Sequence, residues 1–225
     1  VIEFEGIRHS YGEREVLRGV DLTLAEPRIG IVGANGSGKS TLARMINGLV
    51  APTSGRVVVD GFDVARDGAA VRRRVGFVFP DPDAQIVMPT VAEDVGFSLR
   101  RRKLAKDERD RLVAQALTRF DLADHADHPA HLLSSGQKQL LALAAILVTE
   151  PTVLVCDEPT TLLDLRHSRQ VTHLLETLAQ QVVLVTHHLE LVEHWERVIV
   201  IDEGRVVADG PGAESVATYR GLMAC

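Results

Sequence analysis

Eight consecutive residues, Gly33-Ala34-Asn35-Gly36-Ser37-Gly38-Lys39-Ser40, fit the pattern G-x-x-x-x-G-K-[ST] with no departure. The apolar run Ile29 to Val32 precedes them, and a helical pattern follows from about Lys39 to Leu49. In that setting the glycines let the backbone curl so that successive N–H groups point inward at phosphate oxygens. The following helix adds the partial positive charge of its N-terminus. Lys39 reaches the β- and γ-phosphates of a nucleotide, Ser40 offers a hydroxyl to Mg²⁺, and Thr41 adds a phosphate contact. Alone, the motif marks a P-loop nucleotidase or kinase and no more.

Two carboxylates stand further along, in Val153-Leu154-Val155-Cys156-Asp157-Glu158. A buried strand ending this way delivers its acids to the edge of the sheet that faces a phosphate loop. Asp157 suits Mg²⁺, directly or through water. Glu158 suits the base that orients and polarises an attacking water, a role needing only hydrogen-bond reach. The bland alternative is a strand followed by an acidic helix cap, since Pro159 comes next; the phosphate loop upstream favours the functional reading. Cys156 reads as a small buried apolar residue. Leu133-Ser134-Ser135-Gly136-Gln137 opens another helix, so Ser134, the Gly136 amide and that helix N-terminus form a second anion site.

On these segments the sequence resembles the ABC ATPase family. The family's signature motif is usually Leu-Ser-Gly-Gly-Gln, and here Ser135 replaces the first glycine while Ser134, Gly136 and Gln137 remain. In the family this motif contacts the γ-phosphate held by the other subunit of a head-to-tail dimer. The resemblance further implies a D-loop aspartate at Asp164, a γ-phosphate-sensing switch histidine at His187, and an adenine-stacking aromatic at Tyr11. It makes Glu158, His187 and Lys39 the catalytic groups, with Tyr11, Gly33, Asn35, Gly36, Ser37, Gly38, Lys39, Ser40 and Thr41 binding ATP. Ser40 and Asp157 are the implied Mg²⁺ ligands.

The departure is at position 80, where the family normally has a glutamine that reaches Mg²⁺ and the water. Pro80 has no side-chain donor or acceptor for that role. Just beyond, Asp81-Pro82-Asp83-Ala84-Gln85-Ile86 resembles the Pro-acidic-x-Gln-apolar segment of the energy-coupling factor subgroup. Those ATPases drive vitamin and metal-ion importers and pair with a transmembrane coupling protein and a substrate-binding membrane protein. The resemblance is closest to biotin transporter ATPases, with cobalt and nickel ones close behind. It makes Pro82, Asp83 and Gln85 a coupling segment. Gln85 has two possible roles, swinging back to Mg²⁺ or sitting at the junction with the coupling protein. Pro80 and Pro82 restrict the loop and favour the junction.

The elements that must position these groups are legible from periodicity. Ile2, Phe4 and Ile7, then Val16, Leu17, Val20, Leu22 and Leu24, read as two strands joined near Tyr11-Gly12. Val57–Val59, Val75–Phe79, Val153–Cys156, Val182–Thr186, Val198–Ile201 and Val206–Val207 read as further strands. From Thr90 to about Val148 the pattern is helical, interrupted at Asp124–Pro129, and another helix falls near Ser168–Leu178. Strands alternating with helices imply a mostly parallel sheet covered on both faces. The expected fold is therefore α/β. In the family's terms it is a P-loop NTPase (RecA-like) core with an N-terminal antiparallel β subdomain and an inserted helical subdomain. One ABC ATPase domain is expected over 1–225: core and β subdomain at 1–79 and 151–225, helical subdomain at 80–150.

The net charge of −6 argues against a general polyanion-binding surface. The runs Arg72–Arg74 and Arg100–Lys103 read as solvated faces, and His125, His128 and His131 as a solvated linker around Pro129. Two cysteines without metal-ligand spacing fit a reducing compartment. The longest apolar run, Leu140 to Val148, is far short of the ~20 residues a bilayer span needs. Membrane association is thus expected through partners, at the cytoplasmic face of the cell membrane. The expected function is ATP hydrolysis to ADP and phosphate, energising import by a multi-subunit transporter of energy-coupling factor type. The protein should work as a homodimer, with no nucleic-acid partner. The alternative, a soluble ABC ATPase acting on ribosomes or DNA, usually has two tandem cassettes or a long coiled-coil insertion, and this chain has neither. A small-molecule P-loop kinase would leave Ser134–Gln137 unexplained.

Overall fold

The alternating apolar residues at the start form a hairpin, β1 (Ile2–Tyr11) and β2 (Arg14–Leu24), turning at Gly12, whose φ is +60°. Register pairs Phe4 with Leu22 and Tyr11 with Arg14. Alternation buries Ile2 and Phe4, and an irregularity between Phe4 and Ile7 resets the register so that Ile7 is buried as well. After β3 (Arg28–Val32) and α1 (Lys39–Met45), β4 (Ser54–Val59) and β5 (Phe62–Asp63) complete a four-stranded sheet of order β2-β1-β4-β5. A computed structural model describes residues 1–224, so Cys225 lies outside the described residues.

The chain divides into two compact units. The first comprises Val1–Val75, Thr152–Glu158 and the chain from Leu178 onward. Besides the antiparallel sheet it holds α2 (Gly68–Arg74), β7 (Val153–Asp157), β8 (Gln181–Val185), β9 (Arg197–Asp202), β10 (Arg205–Gly210) and α7 (Gly212–Met223). Strand β3 is central, parallel to β8 on one side and to β9 on the other; β7 extends the parallel run beyond β8, and β10 closes the far side antiparallel to β9. Ile29, Ile31, Val155, Val183, Val198 and Ile199 are all fully buried. That is why these strands read as unbroken apolar runs: a parallel sheet covered on both faces has no polar side.

The second unit comprises Gly76–Pro151 and Pro159–Thr177. It begins within β6 (Val75–Val78) and is otherwise helical: α3 (Val91–Ser98), α4 (Lys106–Arg119), α5 (Ser135–Leu147) and α6 (Leu165–Thr177). Helices α3, α4 and α5 pack on one another, and Val95, Val113, Leu117, Leu141 and Leu143 on them are buried. Thr90 and Glu93 form a capping box that starts α3. Short 3-10 turns cover Ala123–His125 and Ala130–Leu132.

Three expectations need adjustment. Helix α1 ends at Met45 rather than near Leu49, because Ile46 and Gly48 donate to Ala43 and Met45 carbonyls and tighten the last turn. The Arg72–Arg74 run belongs to α2; Arg72 and Arg73 are exposed as expected, while the half-buried Arg74 guanidinium lies 4.0 Å from the Phe62 ring centroid. His125 is partly buried, its Nε2 lying 3.1 Å from Gln137 Nε2, whereas His128 and His131 are exposed as a solvated linker requires. No described helix is long and apolar enough to cross a membrane, and no metal-holding group of His, Cys, Asp and Glu occurs among the described residues.

Candidate active site

Gly33 leaves the end of β3 with φ +148°, and a Cβ there would lie 2.0 Å from the Ile201 carbonyl of β9. Gly38 caps α1 at φ +111°, where a Cβ would fall 2.8 Å from Leu17 Cδ2 and 2.9 Å from the Val16 carbonyl. Both positions therefore need glycine on two counts, conformation and space. Between them the loop folds back, with Ser37 N–H donating to the Ala34 carbonyl at 3.2 Å.

The Lys39 ammonium is buried and donates to the Gly33 and Ala34 carbonyls at 2.9 and 2.8 Å. Burial lowers its pKa, and the charges of Glu158 and Asp157 oppose that shift. Ser37 Oγ is buried with no hydrogen-bond partner, a polar atom within the loop that a ligand oxygen would satisfy. Asp157 is fully buried at the end of β7 and accepts from Ser40 Oγ at 2.7 Å and from Arg44 Nη2 at 3.0 Å. Two hard oxygen ligands converging from α1 and β7 fit Mg²⁺, which takes few protein ligands and fills its octahedron with phosphate oxygens and water.

Glu158 follows in the left-handed region at φ +52°, rare for a side chain with a Cβ and held by its N–H donating to the Val185 carbonyl at 2.9 Å. Its Oε2 lies 2.7 Å from His187 Nδ1, just past the end of β8. This contact with the carboxylate orients the imidazole. Tyr11 ends β1 half exposed, its ring edge-on to His9 at 4.6 Å. The first unit thus gathers Gly33–Thr41, Asp157, Glu158 and His187 at the carboxyl ends of β3, β7 and β8.

The second unit holds the remaining candidates. Ser134 is the N-cap of α5: its Oγ accepts from Gln137 N–H at 3.3 Å while Gln137 Oε1 accepts from Ser134 N–H at 3.0 Å. Asp164 Oδ1 accepts from the His167 amide at 2.8 Å and lies 2.9 Å from its Nδ1. Those bonds hold the Asp164 carboxyl below its usual range. In the Pro82–Ala84 turn, Asp83 pairs with Lys138 of α5 at 2.7 Å, and Gln85 Oε1 accepts from the Phe79 amide at 3.2 Å. The Gln85 carboxamide oxygen is thus committed to its own loop.

Sequence reasoning did not find Arg44, Lys138 or His167. Arg44 sits one helical turn after Ser40 on the same face of α1, and His167 sits three residues after Asp164, which precedes α6 and accepts from the His167 amide as a helix cap does. Lys138–Asp83 has no such local signal.

The family profile described as "ABC transporter" matches residues 17–161. The biotin transport ATP-binding protein BioM of Rhizobium etli is 45% identical over 223 residues, 99% of each chain. The energy-coupling factor transporter ATP-binding protein EcfA1 of Symbiobacterium thermophilum is 40% identical, covering 95% of this chain and 80% of its own. Among solved structures, CbiO1 of Clostridium perfringens, part of the ABC transporter complex CbiONQ, superposes with a TM-score of 0.86 at 33% identity, covering 99% of this chain and 93% of that one. With a phosphate loop, paired carboxylates and an opposing histidine folded into one sheet edge, and with such relatives, the chain belongs to the ABC transporter family as an ATP-binding, ATP-hydrolysing subunit.

Proposed function

We propose that this subunit energises import by a transporter of energy-coupling factor type. The observation carrying this is the Pro82–Gln85 segment. Its turn is pinned by Gln85 to the Phe79 amide and by Asp83 to Lys138 of α5, so it is a stiff surface feature leading to the signature segment. The names of the BioM and EcfA1 relatives support the same reading. The partners are a transmembrane coupling protein and a substrate-binding membrane protein, at the cytoplasmic face of the cell membrane. The cargo is a vitamin such as biotin, or a transition metal ion.

In the reaction, Gly33–Thr41 bind the phosphates, with Lys39 exchanging loop carbonyls for β- and γ-oxygens. Tyr11 stacks on adenine. Ser40 and Asp157 would hold Mg²⁺, which would supply neutralisation of phosphate charge. Glu158 takes the proton of the attacking water, and His187, held through Nδ1, senses the γ-phosphate. A second copy completes the site with Ser134–Gln137 and Asp164. Leu132, Leu162 and Leu165, each at least half exposed, flank these groups in sequence, as apolar residues of a self-association surface do.

Tagged protein solubilised from membranes should co-purify with two integral membrane proteins and release phosphate from ATP. Recovery only with ribosomes or DNA would overturn the assignment. Light scattering of Glu158→Gln with ATP and Mg²⁺ should show dimer mass; a persistent monomer, with full wild-type activity, would refute the two-copy site.

A further inference from the structure

We propose that His167 is a positioning residue for the signature segment: it ties Asp164 to Gly136 inside one chain and so sets where the Ser134–Gln137 amides point. This rests on the reading that Asp164 and Ser134–Gln137 face a second copy's nucleotide.

Three contacts carry the proposal. The His167 amide and Nδ1 both address one oxygen of Asp164, at 2.8 and 2.9 Å. The imidazole then lies directly over Gly136, where an added Cβ would be 2.3 Å from Cδ2 and 2.4 Å from Cγ. Gly136 has no positive φ, so glycine is required here by the ring and not by the backbone. On its other flank the segment is steadied by Gln137, whose Nε2 lies 3.1 Å from His125 Nε2. Asp164 is 65% exposed on its side chain, so what meets it can turn its carboxylate, and the two contacts of Oδ1 with His167 carry that turn to the ring. The ring's close seat on Gly136 carries it to the first turn of α5.

A simple helix cap would need the bond to Asp164 and not the ring; simple packing would need the ring and not the bond. His167→Asn keeps a donor near the Nδ1 position, and His167→Phe keeps a ring. The test measures amide hydrogen exchange over residues 133–139 in the full chain, together with kcat and KM for ATP, in both variants. Both should exchange on the order of tenfold faster there and lose about 5- to 20-fold in kcat, with KM within about twofold because the chain's own phosphate loop is untouched. Unchanged exchange in either variant overturns the proposal, as does faster exchange with wild-type kcat. Failure of the two-copy reading is separate: it appears as monomer mass for Glu158→Gln with ATP, whatever the exchange result.

Discussion

Replacing Glu158 with glutamine exchanges one carboxylate oxygen for an amide nitrogen at a position where three constraints meet. The backbone is left-handed, the side chain is 16% exposed, and Oε2 lies 2.7 Å from His187 Nδ1. Glutamine keeps the contact with Nδ1, so the orientation of both side chains survives. Neither residue is glycine, so the left-handed backbone costs the same before and after, and stability should move by no more than about 0.5 kcal/mol. What is lost is the ability to take a proton. General-base assistance contributes on the order of 10²–10⁴ in rate, or about 3–5 kcal/mol of activation free energy. The expected result is ATP affinity within about threefold of wild type, an unchanged melting temperature, and phosphate release slowed by at least about 10². Calorimetric titration with ATP, thermal melting and a coupled phosphate assay on one preparation give all three. Turnover within tenfold of wild type would refute Glu158 as the base. Lost binding would show that the carboxylate acts on affinity.

Lys39→Ala removes a buried ammonium that makes two hydrogen bonds at 2.8 and 2.9 Å, and should weaken ATP binding by about 10- to 100-fold, the worth of one or two charged hydrogen bonds; titration with ATP measures it. Gln85→Ala should reduce transport or docking in a reconstituted transporter while basal hydrolysis of the isolated chain stays within a few-fold; collapse of basal hydrolysis with docking intact would place Gln85 in catalysis. A double-mutant cycle of Asp83→Asn and Lys138→Met should give a coupling of about 0.5–1 kcal/mol by denaturant unfolding, modest because Asp83 is 61% exposed, and strict additivity would show the pair to be ornamental. Burial raises the Cys156 thiol far above its ordinary range, so its neutral form is favoured by folding; the stability it contributes is present below the unfolded pKa of about 8.5 and is lost as pH rises above it. Cys156→Ala should flatten that alkaline loss, followed as melting temperature from pH 7 to 10.

Much of the fold was legible because its signals are local. The hairpin of β1 and β2 shows in period-two alternation, and β7, β8 and β9 show in apolar runs that only doubly covered strands sustain. Gly33 and Gly38 announce positive φ by being glycines, whereas Glu158 at φ +52° gives no such notice. The boundary of α1 was misread because Ile46, Asn47 and Leu49 continue a helical composition while the hydrogen bonds tighten and stop. At the site, the residue types spoke for themselves, but their ties did not. Asp83 to Lys138 spans a long stretch of chain, and the ring of His167 over Gly136 depends on how α5 and α6 meet. Sequence fixes neither distance without the packing. The reciprocal caps of Ser134 and Gln137 were readable in principle, since S-x-x-Q is a capping box.

That capping box has a consequence for timing. Because Ser134 and Gln137 satisfy each other, the first turn of α5 is ordered by its own residues and pays its conformational entropy at folding, not at encounter. Whatever meets this helix end meets a finished surface. Association there should therefore proceed at the rate of rigid-body docking, about 10⁵–10⁷ M⁻¹s⁻¹, with little of the heat-capacity change that marks folding on contact.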